Sequence, residues 1–297
     1  GAAGYYDLAR DGGTGNFGGT KAGCTNNMVV GDGVLNAPEY TRSCFCSYQL
    51  QTSYGLAHDP DVEMWTYMGF ERGAGALQRA GINLGAPGGR LDDAGTWWAE
   101  YPHSGSSALE LPIEMAAVDG ARWEPRPFVR HSSRIEDAGA GMSWVAASGV
   151  EGAAEMRVTL ASEEDADPAT YTVRLQFVEP GEAAVGERQF NVLVQDREVI
   201  SGLDVVREAA GAKRALVHQV TGVEAAEELR VALVPAENAQ QPPVLCGIEL
   251  VREDGTQASA THRPADASFD WAAAAPPTWT ERIVSALSWL PFAAWLR

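Results

Sequence analysis

Along residues 171–178, Tyr171, Val173, Leu175 and Phe177 alternate with Thr172, Arg174, Gln176 and Val178. Period-two alternation places one set on each face of an extended chain and predicts a half-buried strand. Residues 188–195 repeat the pattern, with Phe190, Val192 and Val194 on one side and Gln189, Asn191 and Gln195 among those opposite. Residues 214–220, 229–234 and 244–251 are further runs of this kind. Turn-forming pieces separate them: Glu179-Pro180-Gly181, Gly202, Gly211 and Glu237-Asn238. Short strands at this spacing predict an antiparallel β-sandwich, since a βαβ fold would need helical patterns between the strands.

The pattern changes at the C-terminal end. Residues 264–277 read as a semi-extended Pro/Ala linker. Thr278 and Glu281 then sit at the spacing of a capping box, which predicts an amphipathic helix. Ile283, Leu287 and Leu290 form one stripe, Pro291 kinks or ends the helix, and Phe292, Trp295 and Leu296 continue the apolar character. The segment is too short to cross a bilayer and too apolar to stand free in water. Three readings follow. It packs on its own domain, docks into a groove of another protein, or lies in a membrane interface, where Trp279, Trp289 and Trp295 are suited. Its only basic residues are Arg282 and Arg297, which gives little attraction to anionic lipid. The expectation is therefore docking to a protein partner or membrane-associated complex through Trp279, Ile283, Leu287, Leu290, Phe292 and Trp295.

Five motifs in order carry a family resemblance. Ala80-Gly81-Ile82-Asn83-Leu84-Gly85 is similar to an opening strand "IN-x-G", and Asp92-Asp93-Ala94-Gly95-Thr96-Trp97-Trp98 to "D-x-G-x-x-W". Arg188-Gln189-Phe190-Asn191-Val192 resembles "R-x-F-D-V", Leu203-Asp204-Val205-Val206 resembles "D-F-D-I", and residues 243–250 resemble a closing "I-x-A-I-E-L" strand. Together these resemble the malectin domain over residues 74–252. The resemblance implies a jelly-roll β-sandwich that binds carbohydrate through aromatics and one Asp on loops at one end. The family's aromatic positions fall near residues 130–134 and 141–145, where His131 and Trp144 supply rings. The Asp-bearing loop falls near residues 213–218, which hold no acid. Sugars stack their apolar faces on aromatic rings while a few polar groups fix orientation. The carbohydrate-binding candidates are Trp97, Trp98, Tyr101, His131, Arg134 and Trp144. Trp97 and Trp98 are neighbours in a strand, so one is expected buried and the other exposed.

Composition narrows the function classes. The formal net charge is −18, with 22 Lys and Arg against 40 Asp and Glu in 297 residues. Phosphate neutralisation needs clustered cations, so a nucleic-acid partner is not expected. No stretch of 18 apolar residues occurs, so no simple transmembrane span is expected. The chain starts at Gly1, which is expected either of a processed exported protein or of a piece of a longer one.

Residues 1–70 are rich in Gly and hold Cys24, Cys44 and Cys46. A bridge from Cys24 to Cys44 or Cys46 would close a loop of roughly twenty residues, with a stabilisation of about 3 kcal/mol. Local clustering of few cysteines fits a periplasmic or extracellular protein. Cys246, in the closing strand, is expected to be a small buried residue. Zinc held by Cys24, Cys44, Cys46 and His58 lacks a known spacing, and no metal or cofactor is expected. The pieces 17–24, 36–38 and 44–48 resemble the last blade and exit segment of quinoprotein-like (PQQ-type) β-propellers of exported bacterial proteins. One blade cannot close a propeller, so quinone binding is not implied. Gly13-Thr14-Gly15-Asn16-Phe17-Gly18 satisfies G-x-G-x-x-G, but no apolar strand precedes it and it reads as a flexible turn. Asp59, Asp61 and Glu63 lack the Gly and terminal Glu of a calcium loop and read as a solvated turn.

The organisation expected is a Gly/Cys-rich β segment (1–70), a malectin-like sandwich (71–253), a linker (254–277) and an apolar helix (278–297). No nucleophile–base or metal signature is present, so a non-catalytic binding module is expected. The alternative is a structural or accessory subunit docked through its C-terminal helix.

Overall fold

The computed structural model describes residues 3–6, 14–17, 27–38, 53–57, 63–66, 76–103, 111–118, 120, 122–137, 141–152, 154–162, 164 and 166–254. The chain divides into two units, Gly1–His262 and Arg263–Arg297. Cys24, Cys44, Cys46 and the whole second unit, with the helix expected over 278–297, lie outside the described residues.

The described fold is nearly all β. Near the N-terminus, β1 (Gly4–Tyr6) pairs with β2 (Thr14–Asn16), and β3 (Val29–Gly31), β4 (Val34–Ala37) and β5 (Tyr54–Ala57) form a three-stranded antiparallel sheet. Residues 14–16, expected as a flexible turn, are thus a strand. The remaining strands are β6 (Arg79–Leu84), β7 (Arg90–Leu91), β8 (Trp97–Tyr101), β9 (Ile113–Ala117), β10 (Arg126–Val129), β11 (Glu136–Asp137), β12 (Ser148–Glu151), β13 (Ala154–Thr159), β14 (Ala169–Phe177), β15 (Gln189–Val194), β16 (Arg197–Asp204), β17 (Arg214–Ala225), β18 (Glu228–Pro235), β19 (Val244–Leu245) and β20 (Gly247–Arg252). Two one-turn helices interrupt them, α1 (Ser143–Ala146) and α2 (Val205–Glu208).

A seven-stranded sheet runs β11-β17-β14-β20-β6-β8-β7 and a five-stranded sheet β16-β15-β18-β13-β9; a small third sheet is β10-β12-β19. The alternation read in the sequence is realised. Tyr171, Val173, Leu175 and Phe177 are fully buried from β14, and Phe190, Val192 and Val194 are buried from β15. Phe177 and Phe190 meet with ring centroids 6.0 Å apart, which joins the two large sheets through one apolar core.

Three expectations change. The large sheet is mixed, because β6 pairs with β8 and β11 with β17 in parallel. The closing run 244–251 is not one strand: it breaks at Cys246, with β19 joining the small sheet and β20 the large one. Cys246 itself is buried and free, as expected, and burial pushes its thiol pKa up. Gly202 lies inside β16, not in a turn. Its φ of +60° falls where the β15–β16 register shifts, and its N–H donates to Asn191 Oδ1 at 2.8 Å. This is a β-bulge, a place where an extra residue takes a left-handed conformation open to glycine.

Gly81 is set by close approach. A Cβ there would stand 2.2 Å from Cδ2 of the Trp98 indole. Trp98 is fully buried and cannot swing aside. Gly81→Ala is therefore expected to destabilise the chain by about 1–3 kcal/mol through overpacking. A thermal melt that leaves Tm unchanged would show that the indole has room the packing denies it.

Candidate functional site

A cleft of about 370 Å³ opens between the hairpin that starts at β7 and the segment leading into α1. One wall is Arg90, Leu91, Asp92, Asp93 and Ala94; the other is Asp137 with Gly141, Met142, Ser143 and Trp144. Trp144 is half-buried. Its indole meets Trp98 edge-on at 5.7 Å and Trp65 edge-on at 6.1 Å between centroids. The Arg90 guanidinium lies 4.7 Å from the Trp144 ring centroid, a cation–π distance.

Each wall is held from behind. Asp92 Oδ1 accepts from the Ala94 and Thr96 N–H groups at 2.9 and 2.7 Å, and its Oδ2 accepts from Trp98 Nε1 at 3.0 Å. Asp92 thereby fixes both the hairpin and the indole that supports Trp144. Opposite, Met142 N–H donates to Gln176 Oε1 at 3.2 Å. A Cβ on Gly141 would sit 2.6 Å from Ala215 Cβ, so this segment lies directly against β17.

A buried carboxylate on β20 completes the support. Glu249 accepts from Thr96 Oγ1 at 2.7 Å, Arg79 Nη2 at 2.9 Å and Arg174 Nη1 at 2.8 Å, and Arg79 Nη1 also donates to Ala94 O at 3.1 Å. Burial pushes the Glu249 carboxyl up, but the hydrogen bonds from Thr96, Arg174 and Arg79 outweigh it and hold its pKa below the ordinary carboxylate value. A depressed folded-state pKa means stability present above the unfolded-state value, about 4.3, and lost as pH falls through the folded-state value. Glu249→Gln is expected to lower Tm at neutral pH and to narrow its gap from wild type in acid. A constant gap from neutral pH down to about pH 3 would show that the charge is not what holds this hairpin.

The sequence-predicted residues separate in space. Trp144 stands in the cleft, and Trp98 lies beneath it, fully buried. Trp97 is also buried, 4 % exposed, in the main core. The expectation of one buried and one exposed Trp is corrected. The two indoles do leave opposite faces of β8, but Trp144 and the Gly81 backbone cover the outer one. Tyr101 lines a different hollow, with Ile113, Glu114, Met115 and Arg157. His131 and Arg134 are exposed on a single 3-10 turn, where His131 Nδ1 accepts from Ser133 N–H at 3.2 Å. That turn is tied to Glu63, whose Oε1 accepts from Ser132 N–H at 2.6 Å. Residues 213–218, where the family resemblance places the Asp-bearing loop, form the entry to β17, in line with the strand read over 214–220, with His218 Nε2 2.8 Å from Glu208 Oε2. Arg90, Asp93, Asp137 and Trp65 were not among the candidates. The motif Asp92–Trp98 was the only signal pointing at this wall. Among the described residues no group of three or more His, Cys, Asp or Glu could hold a metal ion, and no helix is long and apolar enough to cross a membrane.

Comparison with solved structures gives distant likenesses. The extracellular domain of ANXUR1 from Arabidopsis thaliana is 14 % identical, with a TM-score of 0.45, 61 % of this chain and 49 % of that chain covered. A chain in the crystal structure of the plant peptide RALF23 in complex with FER and LLG2 is 15 % identical, with a TM-score of 0.43 and coverages of 60 % and 48 %. Bacteroides uniformis β-glucuronidase is 14 % identical, with a TM-score of 0.39 and coverages of 74 % and 22 %. The match spans about half the length of the plant chains. No curated protein matches the chain. Residues 157–233, from within β13 to within β18 and outside the cleft, match the family model of the Malectin domain.

Proposed function

We propose that the chain is a non-catalytic carbohydrate-binding module and that sugar is held in the cleft at Trp144. The observation that carries this reading is the half-buried indole, braced edge-on by two other tryptophans, in a hollow whose walls mix apolar side chains such as Leu91 and Met142 with charged ones such as Arg90 and Asp137. Its volume, about 370 Å³, lies in the range of small-ligand sites. The bracing matters because a stacking platform fixed in advance loses little conformational freedom on binding. The Malectin match over 157–233 agrees with this reading. A jelly-roll topology, export to the periplasm or outside the cell, bridges among Cys24, Cys44 and Cys46, and a propeller-like origin for residues 1–70 belong to the same proposal. The test is a glycan array probed with the full chain. Retention of a discrete set of glycans is expected, and retention of none would overturn the assignment.

The second reading is an accessory subunit, for which the sandwich is a scaffold and residues 278–297 dock to a partner. The lack of any acid in 213–218 favours it. Deleting 278–297 should then release the protein from its native complex. Unchanged association after the deletion would rule this reading out.

A further inference from the structure

We infer that the edge strand β10 and the turns at its two ends form a docking strip for an acidic segment of a partner protein, sharing no residue with the cleft at Trp144. Eight of the described arginines hold an Asp or Glu oxygen within 3.3 Å. Arg122, Arg126, Arg130 and Arg134 hold none among the described residues, and all four are exposed. They fall within residues 122–134, where Glu124 is the single acid, in a chain with a formal net charge of −18. Unpaired cations this close add mutual repulsion to the fold and no ion-pair stabilisation. Their place at the edge of a sheet narrows what they can meet. β10 is the outer strand of the small sheet, with β12 alone beside it. Arg130 N–H donates to Ala147 O at 2.7 Å, so Arg126 and Phe128 also turn their main chain to β12, while Pro127 and Val129 turn theirs outward. Pro127 has no N–H to offer, and Val129 O already accepts from Arg130 Nη1 at 3.0 Å. The edge is thus a poor template for an added strand, and recognition falls to the side chains. Those side chains favour a polypeptide over a uniform polyanion. Val129 is 53 % exposed and Pro127 is exposed beside it, so apolar positions lie between the arginines. A segment that intersperses carboxylates with apolar residues meets both: each guanidinium takes a carboxylate through two parallel hydrogen bonds, and Pro127 and Val129 take the apolar groups. A nucleic acid or sulfated glycan carries charge at every unit and would meet the repulsive field of the acidic chain beyond the strip. His131 and Arg134, read in the sequence as sugar contacts, belong to this strip instead.

The experiment measures Kd of the full chain for a dye-labelled synthetic peptide that alternates Glu-Asp pairs with single leucines, and for its counterpart with Gln-Asn pairs. The acidic peptide is expected to bind at least about tenfold more tightly in low salt, and the difference should shrink toward about twofold in 1 M salt, where the Debye length is near 3 Å. The Arg126→Gln, Arg130→Gln, Arg134→Gln triple variant should lose about tenfold in affinity for the acidic peptide with Tm unchanged, because none of these side chains holds an ion pair. Arg197→Gln removes another exposed arginine without an ion pair, on β16, and should leave the affinity as it is. Equal affinity for the two peptides, or full affinity in the triple variant, overturns the proposal. So does a loss at Arg197→Gln as large as that of the triple variant, since binding would then follow overall charge and not the strip. Tighter binding of heparin or of single-stranded DNA than of the acidic peptide overturns the protein partner. None of these outcomes depends on whether sugar binds at Trp144.

Discussion

Arg188→Ala is expected to cost about 3–5 kcal/mol of folding stability, the range for breaking a buried ion pair from one side. Arg188 is 3 % exposed and its partner Glu179 is fully buried, with Nε and Oε2 2.6 Å apart. The same guanidinium donates to Glu151 Oε1 at 2.8 Å and to the carbonyl of Pro242, so one side chain ties the segment just after β14, the end of β12 and the loop before β19. Glu179 Oε1 also accepts from Gly181 N–H at 2.8 Å. Removing Arg188 strands a carboxylate out of reach of water, and the desolvation penalty of that group, not the lost attraction, sets the size of the effect. The double variant Arg188→Met, Glu179→Leu should lose less than the single one, because no fully buried charge is left unpaired: Glu151, which also loses Arg188, is 31 % exposed and reaches water. Denaturant titration of the full chain reads both. A single variant within about 1 kcal/mol of wild type, or a double variant worse than the single, would mean that water reaches the pair and screens it.

Trp144→Ala is expected to weaken glycan binding by roughly thirtyfold to a hundred-and-fiftyfold, about 2–3 kcal/mol, the scale of an aromatic anchor at the centre of a binding site. Stability should move less. The ring is half-buried, and the ring contacts it loses are two edge-on partners, each worth about 0.5–1.5 kcal/mol, and the Arg90 guanidinium over its face, worth about 0.5–1 kcal/mol. Trp144→Phe keeps a ring with a smaller face and should recover part of the affinity. If alanine and phenylalanine leave affinity untouched, the ligand does not stack on this residue. If affinity and Tm collapse together, Trp144 is a structural residue of the α1 region.

Much of the fold could be read from the chain because β14, β15, β18 and β20 each present an apolar face to one core. Period-two alternation reports burial on one side. The same rule fails at β8. There Trp97 faces the main core, while Trp98 faces a second apolar layer made of Trp144 and the bare Gly81 backbone. A strand covered on both faces has no alternation to read. The break at Cys246 was hidden for a related reason: residues 244–248 are all buried, so hydrophobicity does not change where the chain leaves one sheet for another. At the site, Trp144 was legible as an aromatic at a position where the malectin resemblance places a ring. Arg90 and Asp93 were not, since a polar hairpin looks like any other turn until β7 and β8 bring it opposite residues 141–144. Asp137 reached the cleft through a two-residue strand paired to β17, a contact too short to leave a periodic trace.

The central claim is that Trp144 is the platform on which sugar is held. The most direct test is a titration of the full chain with the top-ranked array glycan, followed by the indole Nε1–H signals of its nine tryptophans in a two-dimensional NMR spectrum. Each signal is assigned by single Trp→Phe substitution. The expected result is a large, saturable shift of the Trp144 signal, with smaller shifts at Trp65 and Trp98, which touch it edge-on. Saturable binding that leaves those three signals in place while others move, such as Trp279, Trp289 or Trp295, would contradict the claim.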